Sequence, residues 1–312
     1  MDFKQLTALV TVSDVGSVTK AARLLHLVQP AVSRHIRSLE EEVGVPLFER
    51  TRQGMTLTPA GEILTERARR ALLELERARA EIRPDRGPVQ GIVTIGLLDS
   101  TVEILAAPLV ESVARRHPGV SLRLLGAFSG HLRQWLDDGA VDMTLLYNLA
   151  STPSISVTPL LHESLWAVAP PDADLAGAGA LTWQHLTSRP LVLPVAGHGL
   201  RTLIDEALAT TGVEPTVACQ TNSMLLQRKL VASGTAWTVL PAAGIAQDVA
   251  TGRLNGGPLT DPEVSRTVVL ALRQGSRMPP AVEVVATEVV RVTRRLVENG
   301  AWPTARAADQ PD

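Results

Sequence analysis

Residues 16–61, Gly16-Ser17 followed by VTKAARLLHLVQPAVSRHIRSLEEEVGVPLFERTRQGMTLTPAG, decide the fold of the N-terminal part of this chain. Ser17 can cap a helix running through Ala21, Ala22, Leu24 and Leu25. A short turn at His26-Leu27-Val28 follows, and Gln29-Pro30 opens the next helix. Proline fits a first helical turn because its missing N–H had no intrahelical partner there. This helix turns Ala31, Val32, Ile36 and Leu39 inward, sets Gln29, Pro30, Ser33, Arg34 and Arg37 on the opposite face, and ends at Gly44. Upstream, Asp2 can cap an earlier helix whose Phe3, Leu6, Leu9 and Val10 recur at helical spacing up to Gly16. Downstream, Leu47-Phe48-Glu49-Arg50 and Met55-Thr56-Leu57 read as strands around the turn Thr51-Arg52-Gln53-Gly54. Three helices and a hairpin make an N-terminal, otherwise all-α, winged helix-turn-helix, expected over 1–58.

The side chains of that third helix carry chemistry. In a helix-turn-helix the second helix of the pair enters the major groove and its first residues meet base edges. Gln pairs with adenine, Arg with guanine and Ser with several bases, and Pro can touch a thymine methyl. A solvated face of an ordinary helix would carry the same residues. Arg50 and Arg52 on the wing would meet phosphates, although ordinary surface arginines would look alike. The net charge of −2 argues against a nucleic-acid partner until charge is read locally. Val15 to Leu39 holds no Asp or Glu but contains Lys20, Arg23, Arg34 and Arg37, before the acidic block Glu40-Glu41-Glu42.

Thr58 and Pro59 start a long linker helix, expected over 59–83. Its Leu64, Ala68, Ala71, Leu75, Ala78 and Ile82 are spaced 4, 3, 4, 3 and 4 apart, the a/d seam of a dimerisation helix. A helix docked on its own domain would show the same spacing. Arg83-Pro84-Asp85-Arg86-Gly87-Pro88 reads as a linker, giving a hinge over 84–90. Beyond it strand-like and helix-like segments alternate. Strand candidates are Ile92–Gly96, Val120–Leu125, Asp142–Leu146, Leu165–Ala169, Leu191–Leu193, Ala236–Leu240 and Thr267–Leu272. Helix candidates are Val102–Arg116, His131–Asp138, Leu200–Thr211, Met224–Ala232 and Ala281–Glu298. This alternation predicts an α/β domain over 91–300 with largely parallel sheets. Residues 301–312 read as a frayed tail.

Bulk properties narrow the function. A length of 312 residues suggests about two domains, and 45% hydrophobic with 20% charged residues is ordinary for a globular protein. No apolar run reaches the roughly 18 residues of a membrane span, and the N-terminus lacks a signal-peptide core. The single cysteine, Cys219, suits a reducing compartment, so cytoplasm is the expected location. Phosphate loops, dinucleotide fingerprints and cysteine pairs are absent from the sequence. His162-Glu163-Ser164-Leu165-Trp166 begins like a zinc-protease motif but has Trp where the second ligand belongs. No enzyme activity, cofactor or metal is expected.

The stretch at 16–61 resembles the N-terminal signature of LysR-type transcriptional regulators, and the match runs without a gap from Met1 to Gly61. LHLVQPAVS, VDMTLLYN, LPVAGHGLR and ASGTAWTVLP are similar to the family's nitrogen-assimilation-control-like branch. One departure is Val28, where most members carry Ser or Thr. The resemblance implies a periplasmic-binding-protein-like effector domain of two subdomains, 91–160 with 266–300 and 161–265, joined by two crossings. It implies a homodimer or homotetramer on inverted-repeat double-stranded DNA, a small-molecule effector between the subdomains, contact with RNA polymerase, and no membrane. Positions matching the family's effector contacts are Ser100, Thr101, Ser129, His198, Arg201 and Thr221. Hydroxyl donors with one cation at helix N-termini suit a small anion, while each hydroxyl could equally be a helix cap. Two other classes compete: a small-molecule-binding module that does not bind DNA, and a cofactor-dependent α/β enzyme.

Overall fold

The computed structural model describes residues 1–51, 54–82, 89–173, 175, 181–274 and 278–308, without the side chains of 73, 76, 77 and 79–82. Arg52, the linker 83–88 and the Ile82 side chain therefore lie outside the described residues. Two compact units emerge, Met1–Asp85 and Arg86–Asp312.

In the first unit, α1 (Phe3–Val15), α2 (Val18–Leu24) and α3 (Gln29–Val43) begin and end where local chemistry dictates. The Asp2 carboxylate accepts the Gln5 N–H at 2.8 Å, and the Gln5 side-chain oxygen accepts the Asp2 N–H at 2.7 Å, closing a capping box. Ser17 caps α2, and Gly16 and Gly44 end α1 and α3 in the left-handed region, with φ 62° and 77°. Val32, Ile36 and Leu39 pack with Ala8, Leu9, Val12, Ala21 and Ala22 in one core. β1 (Phe48–Thr51) and β2 (Gly54–Leu57) form the antiparallel wing. Glu40 holds its base: one carboxylate oxygen accepts the N–H groups of Leu47 at 2.8 Å and Phe48 at 3.3 Å. α4 (Pro59–Ile82) rests on this hairpin, and a Cβ on Gly61 would meet the Leu47 carbonyl oxygen at 2.0 Å.

The expected seam on α4 divides. Leu64 and Ala68 belong to the domain's own core, and Arg69 binds Asp14 and Ser13 of α1. Ala71, Leu75 and Ala78 are exposed, Leu75 by 49%. The part of the seam at Leu64 and Ala68 is therefore anchored at home, and the described seam residues of the outer half, Ala71, Leu75 and Ala78, face outward.

The second unit opens with β3 (Gly91–Leu98), α5 (Asp99–Arg116), β4 (Val120–Ala127), α6 (Ser129–Asp137) and β5 (Met143–Tyr147). These strands are parallel, in the order β4-β3-β5. β6 (Ile155–Ala169) then leads into β7 (Leu181–Thr182), α7 (Trp183–Thr187), β8 (Leu191–Leu193), α8 (Gly199–Thr211), β9 (Val217–Gln220), α9 (Met224–Ala232), β10 (Thr238–Pro241), α10 (Ala246–Ala250) and β11 (Asn255–Thr260). β12 (Ser265–Arg273), α11 (Pro280–Glu298) and β13 (Arg306–Ala307) return to the first layer.

The prediction of largely parallel sheets is corrected. β12 pairs antiparallel with β5 and β6, and β10, β11 and β13 pair antiparallel with β6. The reason is topological: the chain leaves along β6 and comes back along β12 beside it, so the two crossings must run in opposite directions. β6 contributes Leu160 and Leu161 to one core and Leu165 and Ala167 to another, and β12 contributes Val268–Leu272 to the first. Pro159, which cannot donate to a ladder, sits beside a register shift between Val268 and Val269. The tail is also not frayed as far as 308. Trp302 is buried, β13 pairs with β6, and the Ala308 N–H reaches the Leu160 carbonyl at 3.2 Å.

Candidate nucleic-acid interface and effector cleft

α3 presents the polar face expected of it. Gln29, Pro30, Arg34 and Arg37 are exposed and Ser33 is half-buried, opposite the buried Val32, Ile36 and Leu39. Gln29 Nε2 donates to Ser33 Oγ at 2.8 Å across one helical turn. Val28 occupies the N-cap with no side-chain bond. Arg50 is exposed on β1. The face combines amide, hydroxyl and guanidinium groups, the inventory that pairs with base edges.

In the second unit a cavity of about 30 Å³ lies where β3, β4, β5 and β10 end and α5, α6, α8 and α9 begin. Ligands bind at such edges because helix N-termini converge there with free N–H groups. The cavity has room for a water or two, or a small ion. Phe128 and His198, one from each core's side, meet edge-to-face at 4.7 Å. A Cβ on Gly199 would lie 2.6 Å from Tyr147 Oη, so only glycine permits that approach. Arg228 of α9 pairs with Glu103 of α5 at 2.7 Å and also with Asp248. An ion pair thus ties α9 to α5.

His198 is the most informative lining group. Its Nδ1 accepts the Leu200 N–H at 3.1 Å, so the proton of the neutral ring resides on Nε2. Burial, assisted by the Arg266 charge, lowers its pKa to about 4 and keeps it neutral. Nε2 is buried and makes no hydrogen bond in the structure. Arg266 also lines the cavity, 4% exposed, but its charge is matched by Glu163: Nε donates to it at 2.8 Å, and Nη2 lies 2.6 Å from the same oxygen. Its Nη2 donates to Ser100 Oγ at 2.6 Å, and the guanidinium lies 4.7 Å from the Tyr147 ring centroid. Ser129 Oγ donates to Tyr147 Oη at 3.1 Å. Ser100 and Tyr147 each accept one bond, which leaves their own hydroxyl protons to donate. Asp99 lines the cavity too, and burial raises its carboxyl above the usual range.

Of the six positions expected at the effector site, Ser100, Ser129 and His198 line the cavity. Thr101 is fully buried in the first turn of α5 and its hydroxyl donates to the Leu98 carbonyl at 2.9 Å. Thr221 accepts the Ser223 N–H at 3.1 Å. Arg201 donates to Asp205 at 2.7 Å and to the Pro194 carbonyl at 3.2 Å, away from the cavity. The cation that lines this cavity is Arg266 rather than Arg201, and a carboxyl, Asp99, lines it too. Arg266 and Glu163 were missed. They stand in the short polar runs His162-Glu163-Ser164 and Ser265-Arg266-Thr267, which carry no local sign that the two would pair.

Comparisons agree with both halves. Residues 3–62 match the family described as bacterial regulatory helix-turn-helix protein, lysR family, and residues 86–294 match the LysR substrate binding domain. The chain is 29% identical over 303 residues to the HTH-type transcriptional regulator BbuR of Bordetella bronchiseptica, covering 97% of this chain and 93% of that protein. It is 30% identical over 303 residues to the nitrogen assimilation regulatory protein nac of Klebsiella aerogenes, covering 96% and 98%. Among solved structures, full-length CbnR complexed with its target DNA shares the fold, with a TM-score of 0.67 at 22% identity, over 95% of this chain and 99% of that one. No helix among the described residues is long and apolar enough to cross a membrane. The chain belongs to the LysR family of DNA-binding transcriptional regulators, a helix-turn-helix domain followed by the family's substrate-binding domain.

Proposed function

We propose that the protein binds an inverted-repeat promoter site as a homodimer or homotetramer, with α3 in the major groove. Gln29, Pro30, Ser33, Arg34 and Arg37 meet base edges, while Arg50 and Arg52 hold phosphates and set the register. The observation that carries this reading is the exposed amide, hydroxyl and guanidinium face of α3, set opposite its buried stripe. The exposed Ala71, Leu75 and Ala78 support a dimer contact along the outer half of α4. The two cores support a division of the effector region into 91–160 with 266–300, and 161–265. The cavity between them suits a small hydrogen-bond acceptor, such as an inorganic anion or short carboxylate. Ser100, Tyr147 and His198 offer it donors. An effector acts by favouring one arrangement of the oligomer over another, and RNA polymerase is the expected reader of that arrangement.

An electrophoretic shift with the DNA upstream of the protein's own gene tests the reading. Specific retardation should fall steeply with salt and be weakened in Arg34→Ala. Equal binding of that DNA and unrelated duplex would refute it.

A further inference from the structure

The recognition helix opens on an apolar corner that the hydrogen-bonding groups of α3 do not use. Val28 has extended backbone, φ −81° and ψ 144°, and is 69% exposed, the most exposed large apolar side chain among the described residues. Leu27 before it is 43% exposed, and the Pro30 ring two residues on is exposed as well. The fold gives no reason for valine here. An N-cap without a side-chain acceptor weakens a helix, and this isopropyl group stays largely in water. Its polar neighbours point elsewhere: the Gln29–Ser33 hydrogen bond draws Gln29 along the helix toward the next turn. The leading corner of α3 is left to Val28 and Pro30.

We infer that Val28, supported by Pro30, reads the C5-methyl of a thymine in each half-site. Thymine alone of the four bases carries an apolar group on the major-groove edge. Removing one such group from water against an apolar side chain is worth about a fourfold change in affinity. The inference rests on the α3 orientation proposed above, and its test separates the two.

Full-length protein is used to select a preferred duplex from a random-sequence pool. Each thymine of one half-site is then replaced singly by deoxyuridine, which lacks only the methyl. Binding is measured by fluorescence anisotropy at fixed salt. One position should lose about three- to fivefold with the wild type. Val28→Ser, which restores a capping hydroxyl and so protects the fold, should bind the thymine and uracil duplexes equally. Arg34→Ala should weaken binding while keeping the methyl dependence. A wild type indifferent to every thymine methyl, or an unchanged dependence in Val28→Ser, overturns the inference alone. An Arg34→Ala protein that binds as the wild type does overturns the orientation and the inference with it.

Discussion

Replacing Glu163 with Gln should unfold the effector domain at markedly lower temperature, because among the described residues this carboxylate is the counter-charge paired with Arg266. The two residues face each other across β6 and β12, where the chain passes between its two cores, and are 1% and 4% exposed. Glu163 accepts from Arg266 Nε at 2.8 Å, with Arg266 Nη2 2.6 Å from the same oxygen, and on its other oxygen accepts from Trp302 Nε1 at 2.9 Å. A glutamine keeps one acceptor but must turn its amide hydrogens toward one of those donors. Breaking a buried pair by removing one partner costs about 3–5 kcal/mol, chiefly from the uncompensated charge left behind. For a domain of this size that corresponds to a fall in Tm of roughly 6–20 °C. All five tryptophans, Trp135, Trp166, Trp183, Trp237 and Trp302, lie in the second unit, so indole fluorescence follows its unfolding without signal from the DNA-binding domain. Glu163→Gln/Arg266→Met should recover most of the loss, since replacing a buried pair by apolar groups is often near neutral. A single variant that loses less than about 1 kcal/mol, or a double variant whose losses simply add, would refute the buried-charge argument.

Three other outcomes follow from the geometry. Leu75→Glu places a charge in the exposed apolar face of α4, so sedimentation should show monomer and DNA affinity should fall; Leu64→Glu should instead unfold the DNA-binding domain, because that side chain packs into its core. Acidification should remove stability in two windows, both resolved by following Tm against pH. His198 has its pKa depressed on folding, so its contribution is complete above about 6.5 and lost as pH falls toward about 4, and His198→Gln should flatten that window. Burial raises the Glu288 carboxyl, but hydrogen bonds from Arg291 and Ser112 outweigh it and hold its pKa at about 2, so its stability is lost between about 4.5 and 2 and Glu288→Gln flattens that slope. Small anions should raise the Tm of the wild type and of Arg201→Ala alike but not of His198→Phe, and equal stabilisation of His198→Phe would remove the Nε2–H donor from the site.

The DNA-binding domain was legible because its signals are local. Asp2, Ser17, Gly16 and Gly44 cap within a turn of themselves, and the buried stripe of α3 follows a single period. The first half of β6 was not legible, since Pro159 and the polar run His162-Glu163-Ser164 interrupt the apolar pattern that marked Leu165–Ala169. The site divides along the same line. Ser100 and Ser129 could be placed from their positions at helix starts, but so could Thr101 and Thr221, whose hydroxyls bond to nearby backbone groups. A hydroxyl turned to the local backbone and one that faces a cavity have the same local sequence. The Glu163–Arg266 pair joins residues 103 positions apart, and only the antiparallel register of the crossing strands brings them together.

Methylation interference on the selected duplex tests the central claim, that α3 reads the major groove. Guanine N7 lies on the major-groove edge, where an arginine would approach it, and adenine N3 lies in the minor groove. Premethylating guanine N7 in each of two half-sites should block the wild type, and in Arg34→Ala the block should vanish at one guanine per half-site while persisting elsewhere. Interference confined to adenine N3, or a pattern identical in wild type and Arg34→Ala, would contradict the account.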